Sequence, residues 1–84
     1  MLSVKFGSGA KKFLKRTDKQ IVIRIIKIIK KLRENPFPSG IKRVVGKKDK
    51  IFRIRVGDYR IQYSVFHKKN LIFISDIDKR ERAY

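Results

Sequence analysis

The sequence predicts an α+β domain of order β-α-α-β-β-β, in which a helical hairpin packs on one face of a mostly antiparallel four-stranded sheet. Apolar residues recur with a period of 3.6 between residues 10 and 34, which is typical of helices. They alternate with a period of two in residues 2–6 and again in residues 51–77, which is typical of half-buried strands. A chain of 84 residues fits a single domain spanning residues 1–84.

The first strand and the first helix are predicted within the N-terminal 16 residues. In "MLSVKF" the apolar residues Leu2, Val4 and Phe6 alternate with polar ones, as in a strand with one buried face. The glycines of "GSG" end this strand. The apolar residues of "AKKFLKR" then share one helical stripe, which predicts a short amphipathic helix.

The second helix, predicted over residues 19–34, has the clearest pattern in the chain. Its apolar face consists of Ile21, Val22, Ile25, Ile26, Ile28, Ile29 and Leu32. Basic residues occupy the opposite side and the flanks, and the prolines of "ENPFPSG" end the helix. Two helices in succession with a tight connection predict a helical hairpin.

The second half of the sequence predicts three strands joined by short turns. "KIFRIRV" and "YRIQYSVF" both alternate, and Gly57-Asp58 between them is a two-residue hairpin turn in which Gly57 can take a positive φ. "HKKN" is predicted as the next turn. "LIFISDI" is predicted as a final strand that ends at Ile77 and is apolar enough to lie centrally, so the helices should cover one sheet face.

Alternation in the hairpin also predicts an open sheet face rich in arginine. If the apolar side chains face the helices, Arg53, Arg55, Arg60 and Gln62 share the other face. The hairpin register brings the three arginines close together, and like charges repel unless an anion lies among them. With a net charge of +17, the chain should attract polyanions. We interpret this face as a nucleic-acid-binding surface; the alternative is a solvated face with scattered counter-ions.

The composition excludes several other chemistries. Without cysteine, the chain has neither a disulfide framework nor a thiolate zinc site. Its one histidine, His67, lies in a predicted turn, so a ribonuclease mechanism that needs two histidines is not available within one chain. Asp76 and Asp78, with Glu81 nearby, are candidates for binding Mg²⁺, but we interpret them as ion-pair partners of neighbouring basic residues. Neither a metal nor a cofactor is therefore predicted.

No segment has the pattern of a signal peptide or a membrane span. The most apolar run, "IVIRIIKIIKKL", is interrupted by four basic residues. We expect a soluble cytoplasmic protein that does not bind membranes.

The hairpin "RIRVGDYRIQYSV", the element order and the terminal "DKRERAY" together resemble the RelE/ParE toxin superfamily, nearer its RelE ribonuclease branch. The resemblance spans essentially the whole chain. It implies the toxin of a type II toxin–antitoxin system, an endoribonuclease that cleaves mRNA in the ribosomal A site without a metal and so inhibits translation. The implied partners are mRNA, the ribosome and an acidic RelB-like antitoxin that holds the toxin inactive.

The resemblance also implies which residues form the site. Arg60, in the "YR" of the hairpin, and Arg80, after the last strand, fall on the family's catalytic arginines, and Tyr84 falls on its C-terminal tyrosine. The implied RNA-binding residues are Arg53, Arg55, Lys79 and Arg82. Two departures matter: the strand pair is often lysine in the ribonuclease branch, and the tyrosine here lies two residues nearer the arginines. Because arginine keeps its proton, neither residue of the strand pair serves as the general base. If Tyr84 reaches the sheet face, it can stack on a base or transfer a proton; if it does not, the base is unassigned, with Glu81 as a weak alternative.

Two functions of other classes stay open at this stage. A ParE-like protein of the same fold would inhibit DNA gyrase and have no nuclease activity, because a fold does not determine a function. A passive RNA-binding domain would bind with a steep salt dependence and cleave nothing.

Overall fold

The structure is a computed structural model, and it describes residues 1–44 and 50–79. The elements in chain order are β1 (Ser3–Phe6), α1 (Ser8–Arg16), α2 (Lys19–Glu34), β2 (Lys42–Arg43), β3 (Phe52–Val56), β4 (Tyr59–Phe66), a 3₁₀ turn (His67–Lys69) and β5 (Leu71–Lys79). Among these elements, no helix is long and apolar enough to cross a membrane.

The strands form one five-stranded sheet of order β1-β5-β4-β3-β2. β1 runs parallel to β5, while the β5–β4, β4–β3 and β3–β2 pairs are antiparallel. The predicted α+β class and the mostly antiparallel sheet are confirmed, but the predicted count of four strands is wrong. The additional strand, β2, has only two residues, and so short a strand has no alternation that a sequence can show.

The helical hairpin covers one face of the sheet, as predicted. The bounds predicted for α2 are confirmed, and Ile25, Ile29 and Leu32 bury the centre of its apolar face. From the sheet, Ile61, Ile72 and Ile74 pack against them and are completely buried, together with other aliphatic residues of the core. Removal of this apolar area from water is the main stabilising contribution to the fold.

Tyr63 is the largest side chain that is completely buried in this core. Its hydroxyl donates a hydrogen bond of 2.6 Å to the carbonyl oxygen of Pro36, which fixes the start of the α2–β2 loop against the sheet. Burial raises the pKa of Tyr63 to about 12, because the phenolate would lose its hydration. Tyr63 therefore stays protonated at neutral pH and serves the fold.

A β-bulge in β5 sets which residues of its second half face the helices. Gln62 pairs with Asp76 whereas the next residue, Tyr63, pairs with Ile74, so Ser75 is an extra residue on β5. The Ser75 hydroxyl donates to the Gln62 carbonyl oxygen at 3.1 Å. Strict alternation from Ile74 would place both following aspartates on the helix side of the sheet. The bulge instead keeps Ile77 in the core.

β5 also extends two residues beyond the predicted end at Ile77, to Lys79. Asp78 is therefore part of the ladder and pairs with Arg60 on β4. This pairing, which depends on the bulge, determines the electrostatics of the open face.

Candidate nucleic-acid interface

The face of the sheet opposite the helices carries a group of basic side chains on β2, β3 and β4. We call this surface the arginine face and define it by Lys42, Arg53, Arg55, Arg60, Gln62 and Asp78. The ladder arranges these residues in two rows that run across the strands. The hairpin row is Arg55–Arg60–Asp78, and the edge row is Lys42–Arg53–Gln62. The predicted grouping of three arginines on one open face is confirmed.

In the hairpin row, Arg60 forms a bidentate ion pair with Asp78. Arg60 Nε donates to Asp78 Oδ1 at 3.0 Å, and Nη2 donates to Oδ2 at 3.1 Å. The two side chains are 28% and 40% exposed, so the pair lies at the surface and an arriving ligand can reach it. A guanidinium has five N–H donors. Two of them bind Asp78, and the Nη1 donors of Arg60 are not used in this pair.

The partner of Arg60 across β3 is another arginine, Arg55. Like charges directly opposite each other on a sheet are unfavourable. Asp78 reduces this repulsion from the other side of Arg60, while the row as a whole keeps a net positive charge. Asp78 thus supplies one of the anions that a cluster of guanidiniums requires.

The edge row has a different electrostatic character. Lys42 is exposed, Arg53 is half-buried, and the two are register partners across β2 and β3. Among residues 1–44 and 50–79, neither has an ion pair. Asp76, which follows Gln62 across the ladder, accepts the Ile77 N–H at 3.0 Å and lies beside Gly9, where an added Cβ would be 2.9 Å from its Oδ1.

A cleft of about 270 Å³ opens beside the edge row. It is lined by Ser39, Gly40, Lys42, Arg53, Ile54 and Arg55. It exists because the ladder between β2 and β3 contains only two residue pairs, so the chain before Lys42 diverges from β3. Gly40 makes this divergence possible with a φ of +90°, a conformation that side chains rarely adopt.

The other predicted site residues do not all join the arginine face. Lys79 pairs with Tyr59, whose side chain is on the helix side of the sheet. On that side of the sheet, Lys79 and Tyr59 line a shallow cleft together with Phe13, Arg16 and Thr17. Lys79 is therefore separated from Arg53 and Arg60 by the sheet.

Arg80, Arg82 and Tyr84 lie outside the described residues, as does the alternative base Glu81. Their roles stay predictions from the resemblance.

Asp78 and His67 have structural partners, whereas Asp76 has no basic partner among the described residues, so the ion-pair interpretation of Asp76 is not confirmed. Asp78 binds Arg60, as the ion-pair interpretation predicted, and the part of the chain that the structure describes has no group of three or more potential metal ligands. His67 lies in the 3₁₀ turn with its ring centroid 5.9 Å from that of Phe37. It is in the predicted turn, away from the arginine face.

Two features of this surface were not predictable from the sequence. Asp78 was identified as a partner of some basic residue, but not of Arg60, because the unpredicted bulge sets the register. Lys42 lies in the unpredicted strand β2. The only sequence feature of Lys42 that could indicate its proximity to Arg53 is its positive charge, and many residues of this basic chain carry the same charge.

Comparisons with known proteins agree with this fold. The family described as "ParE toxin of type II toxin-antitoxin system, parDE" matches residues 4–84. A curated relative from Methanocaldococcus jannaschii, a candidate toxin RelE1, is 40% identical over 60 residues, and the alignment covers 68% of this chain and 66% of that relative. The chain therefore spans just under two thirds of the length of this relative.

Two solved structures extend the match to nearly all of the chain. A chain of the archaeal RelE–RelB complex from Pyrococcus horikoshii is 30% identical, with a TM-score of 0.81 and 98% of both chains covered. The isolated E. coli RelE toxin shares the fold at 21% identity, with a TM-score of 0.83, 99% of this chain and 88% of that chain covered. The family match over residues 4–84 and the archaeal similarity show that the chain belongs to the RelE/ParE superfamily of type II toxin–antitoxin toxins.

Proposed function

We propose that this chain is the toxin of a type II toxin–antitoxin system and that it is an endoribonuclease acting on mRNA in the ribosomal A site. The observation that carries the proposal is the hairpin row of the arginine face. It presents Arg60, oriented by its two hydrogen bonds to Asp78, on the face of the sheet that the helices leave uncovered. The RelE relatives support the choice of a ribonuclease within the superfamily.

The proposed reaction uses the nucleophile that RNA itself carries. The 2′-oxygen attacks the adjacent phosphorus in line, the bond from phosphorus to the 5′-oxygen breaks, and the products are a 2′,3′-cyclic phosphate and a 5′-hydroxyl. A general base accepts the 2′ proton, and the 5′-oxygen takes up a proton as it leaves. The protein has to align these atoms and neutralise the charge that develops on the phosphate oxygens.

Arg60 is suited to this electrostatic task. With Nε and one N–H of Nη2 bound to Asp78, the remaining donors at its Nη1 end can bind the oxygens of the scissile phosphate. Arg55, directly across the ladder, adds positive charge on the same side. Both arginines keep their protons in proteins, so they stabilise charge and transfer no proton.

The proton transfers belong to other residues in this proposal. Tyr63 is unsuitable, because it is completely buried, donates to Pro36 and has a raised pKa. Tyr84 is the proposed base or base-stacking residue, and Arg80 is the proposed second contact to the scissile phosphate. Their assignment depends on the family motif in "DKRERAY".

The proposed protein partner is an acidic RelB-like antitoxin. Structures of relatives contain RelE–RelB complexes, and a chain with a net charge of +17 is complementary to an acidic partner. We expect the antitoxin to neutralise the arginine face, to displace the C-terminal segment, or to do both. A complex that leaves both Arg60 and Arg80 open to solvent would contradict this expectation.

Primer extension on translated mRNA tests the enzymatic proposal. Induction of the toxin should produce discrete 5′ ends within translated codons, and a folded Arg60→Ala, Arg80→Ala double variant should produce none. Intact transcripts with unimpaired translation would refute the proposal.

Two parallel assays separate the other functional classes. Inhibition of DNA supercoiling by purified gyrase would indicate a ParE-like activity instead. Salt-dependent RNA binding with no cleavage on translating ribosomes would indicate a passive RNA-binding domain.

A further inference from the structure

We propose that the cleft beside the edge row is a binding site for a phosphate group of the RNA backbone, separate from the scissile phosphate at Arg60. Lys42 and Arg53 are its two charged contacts. This inference deepens the proposed function and rests on it for the identity of the ligand as RNA. The physical argument for an anion comes from the edge row itself.

The first step is the cost of the arrangement without a ligand. Lys42 and Arg53 are directly opposite each other on adjacent strands, and Arg55 follows two residues along β3. Like charges in such cross-strand positions destabilise a sheet. Within the described ranges, neither Lys42 nor Arg53 has a carboxylate partner, whereas Arg60 in the neighbouring row has Asp78. The edge row thus places two cations together, and the described part of the fold supplies no carboxylate to neutralise them.

The second step is the shape beside these cations. The cleft of about 270 Å³ is large enough for a phosphate group with attached sugar atoms, and it is open to solvent on the face that carries Arg60. Gly40 in its wall has no side chain, and nothing lies within 4 Å of the position that a Cβ on Gly40 would take. A compact anion can therefore reach both cations at once.

The third step is the distance between the two sites. Diagonal neighbours on adjacent strands are about 7–8 Å apart, and Arg53 is in that relation to Arg60 across β3 and β4. A phosphate bound at the edge row would belong to a nucleotide near the one cleaved at Arg60. The edge row would hold the strand while the hairpin row acts on the scissile phosphate.

The test measures binding apart from cleavage. The probe is a single-stranded 2′-O-methyl RNA of mixed sequence, which has no free 2′-hydroxyl to attack. Its affinity for the full chain is measured by fluorescence anisotropy over a series of salt concentrations. For Lys42→Gln we expect weaker binding and a log–log salt slope reduced by about 0.7, the value for one phosphate contact with a single strand.

Lys5→Gln is the matched control. Lys5 is also an exposed lysine, and it is paired with Phe73 on β1, at the opposite edge of the sheet from β2. The Lys5→Gln variant should leave the salt slope of RNA binding nearly unchanged. Equal slopes for the Lys42→Gln and Lys5→Gln variants would overturn the proposal.

A second measurement guards against a folding defect. Because Lys42→Gln removes a like-charge pair, its Tm at low salt should rise by about 2 °C, and this rise should shrink as salt is added. A fall in Tm would contradict the like-charge repulsion between Lys42 and Arg53 on which the proposal depends. Inorganic phosphate as a separate ligand should raise the Tm of the unmodified chain more than that of Lys42→Gln.

The outcomes also separate this proposal from the proposed nuclease function. If primer extension finds no cleavage but the Lys42→Gln slope falls, the phosphate site stands and the nuclease function fails. If cleavage occurs and Lys42→Gln binds and cleaves like the control variant, the phosphate site fails and the nuclease function stands.

Discussion

The two rows of the arginine face contain similar types of residue, but their electrostatics differ. Arg55 and Arg60 form the hairpin row and meet a carboxylate, Asp78, on the third strand. Lys42 and Arg53 form the edge row, and the next residues along it are Gln62 and an aspartate that bonds elsewhere. The same alternation of basic and apolar residues produced both rows. The strand that lies opposite decides that Arg60, and not Arg53, meets a carboxylate among the described residues.

This difference suggests that the two rows of the arginine face have different functions. An arginine held by a carboxylate has a fixed orientation, which suits an interaction that must match a transition state. A pair of cations that has no carboxylate partner among the described residues suits the binding of a strand, because it attracts any phosphate without regard to base sequence. The predictions below test this contrast, beginning with the largest expected effect.

Arg60→Ala should reduce the rate of mRNA cleavage by at least about 100-fold, the cost of removing one preorganised donor to developing charge. RNA affinity should fall much less, because the edge row is retained. Single-turnover cleavage on programmed ribosomes measures the rate. Arg16→Ala, on the exposed side of α1, is a charge-matched control and should cleave at nearly the normal rate. Equal losses of cleavage rate in Arg60→Ala and Arg16→Ala would show that the hairpin row has no special role in cleavage.

Asp78→Asn should lower kcat by about tenfold, because Arg60 loses the carboxylate that fixes its guanidinium. The loss of a negative charge beside the RNA should at the same time strengthen binding, so KM should fall. Asp78→Glu, which keeps the charge, should recover part of kcat. An unchanged kcat, or one that rises, would show that Asp78 restrains Arg60 rather than positions it.

Asp76→Asn is the matched control for this change. Asp76 is two residues away on β5, and the amide oxygen of asparagine can still accept the Ile77 N–H. The variant has the same change in charge without the loss of an arginine partner. We expect KM to decrease while kcat stays unchanged. A decrease in kcat equal to that of Asp78→Asn would show that the carboxylate bound to Arg60 has no special role in cleavage.

Tyr63→Phe should have the smallest effect and should act on the edge row through the loop. It removes the hydrogen bond to Pro36, which holds the start of the loop that lines the cleft, and should cost about 1 kcal/mol of stability at neutral pH. Chemical denaturation measures this change. The kcat of cleavage should be unchanged, since Arg60 and Asp78 keep their contacts.

The pH dependence of the same variant provides a second check. The pKa of Tyr63 is raised from 10.0 to about 12 in the folded chain, so folding favours the protonated phenol. Its contribution to stability is therefore fully present below pH 10 and is lost as the pH rises from about 10 to 12. Tyr63→Phe should lose less stability than the unmodified chain over this range. Parallel stability curves for the two proteins would contradict the raised pKa.

Much of the fold followed from periodicity. The bounds of α2, the Gly57-Asp58 hairpin and the separation of basic from apolar side chains on β3 and β4 were predictable, because each depends on local patterns of 3.6 or two residues. The two-residue strand β2 was not predictable, because a pairing of that length is stabilised by its neighbours and leaves no pattern in its own sequence. The face on which Lys79 lies was not predictable for a related reason: one residue of offset moves a side chain to the other face of a sheet.

The sequence by itself determined that this chain is a basic α+β domain with a helix-covered apolar face and arginines on the other face. Charge, length and alternation are properties of the chain that folding does not alter. Only the tertiary structure decided that the carboxylate of Asp78 binds Arg60. The extra residue at Ser75 shifts the register of β5 and brings Asp78 to Arg60, while the early divergence of β2 from β3 leaves Lys42 and Arg53 beside an open cleft. Both outcomes depend on pairing between strands distant in sequence, which local periodicity does not specify.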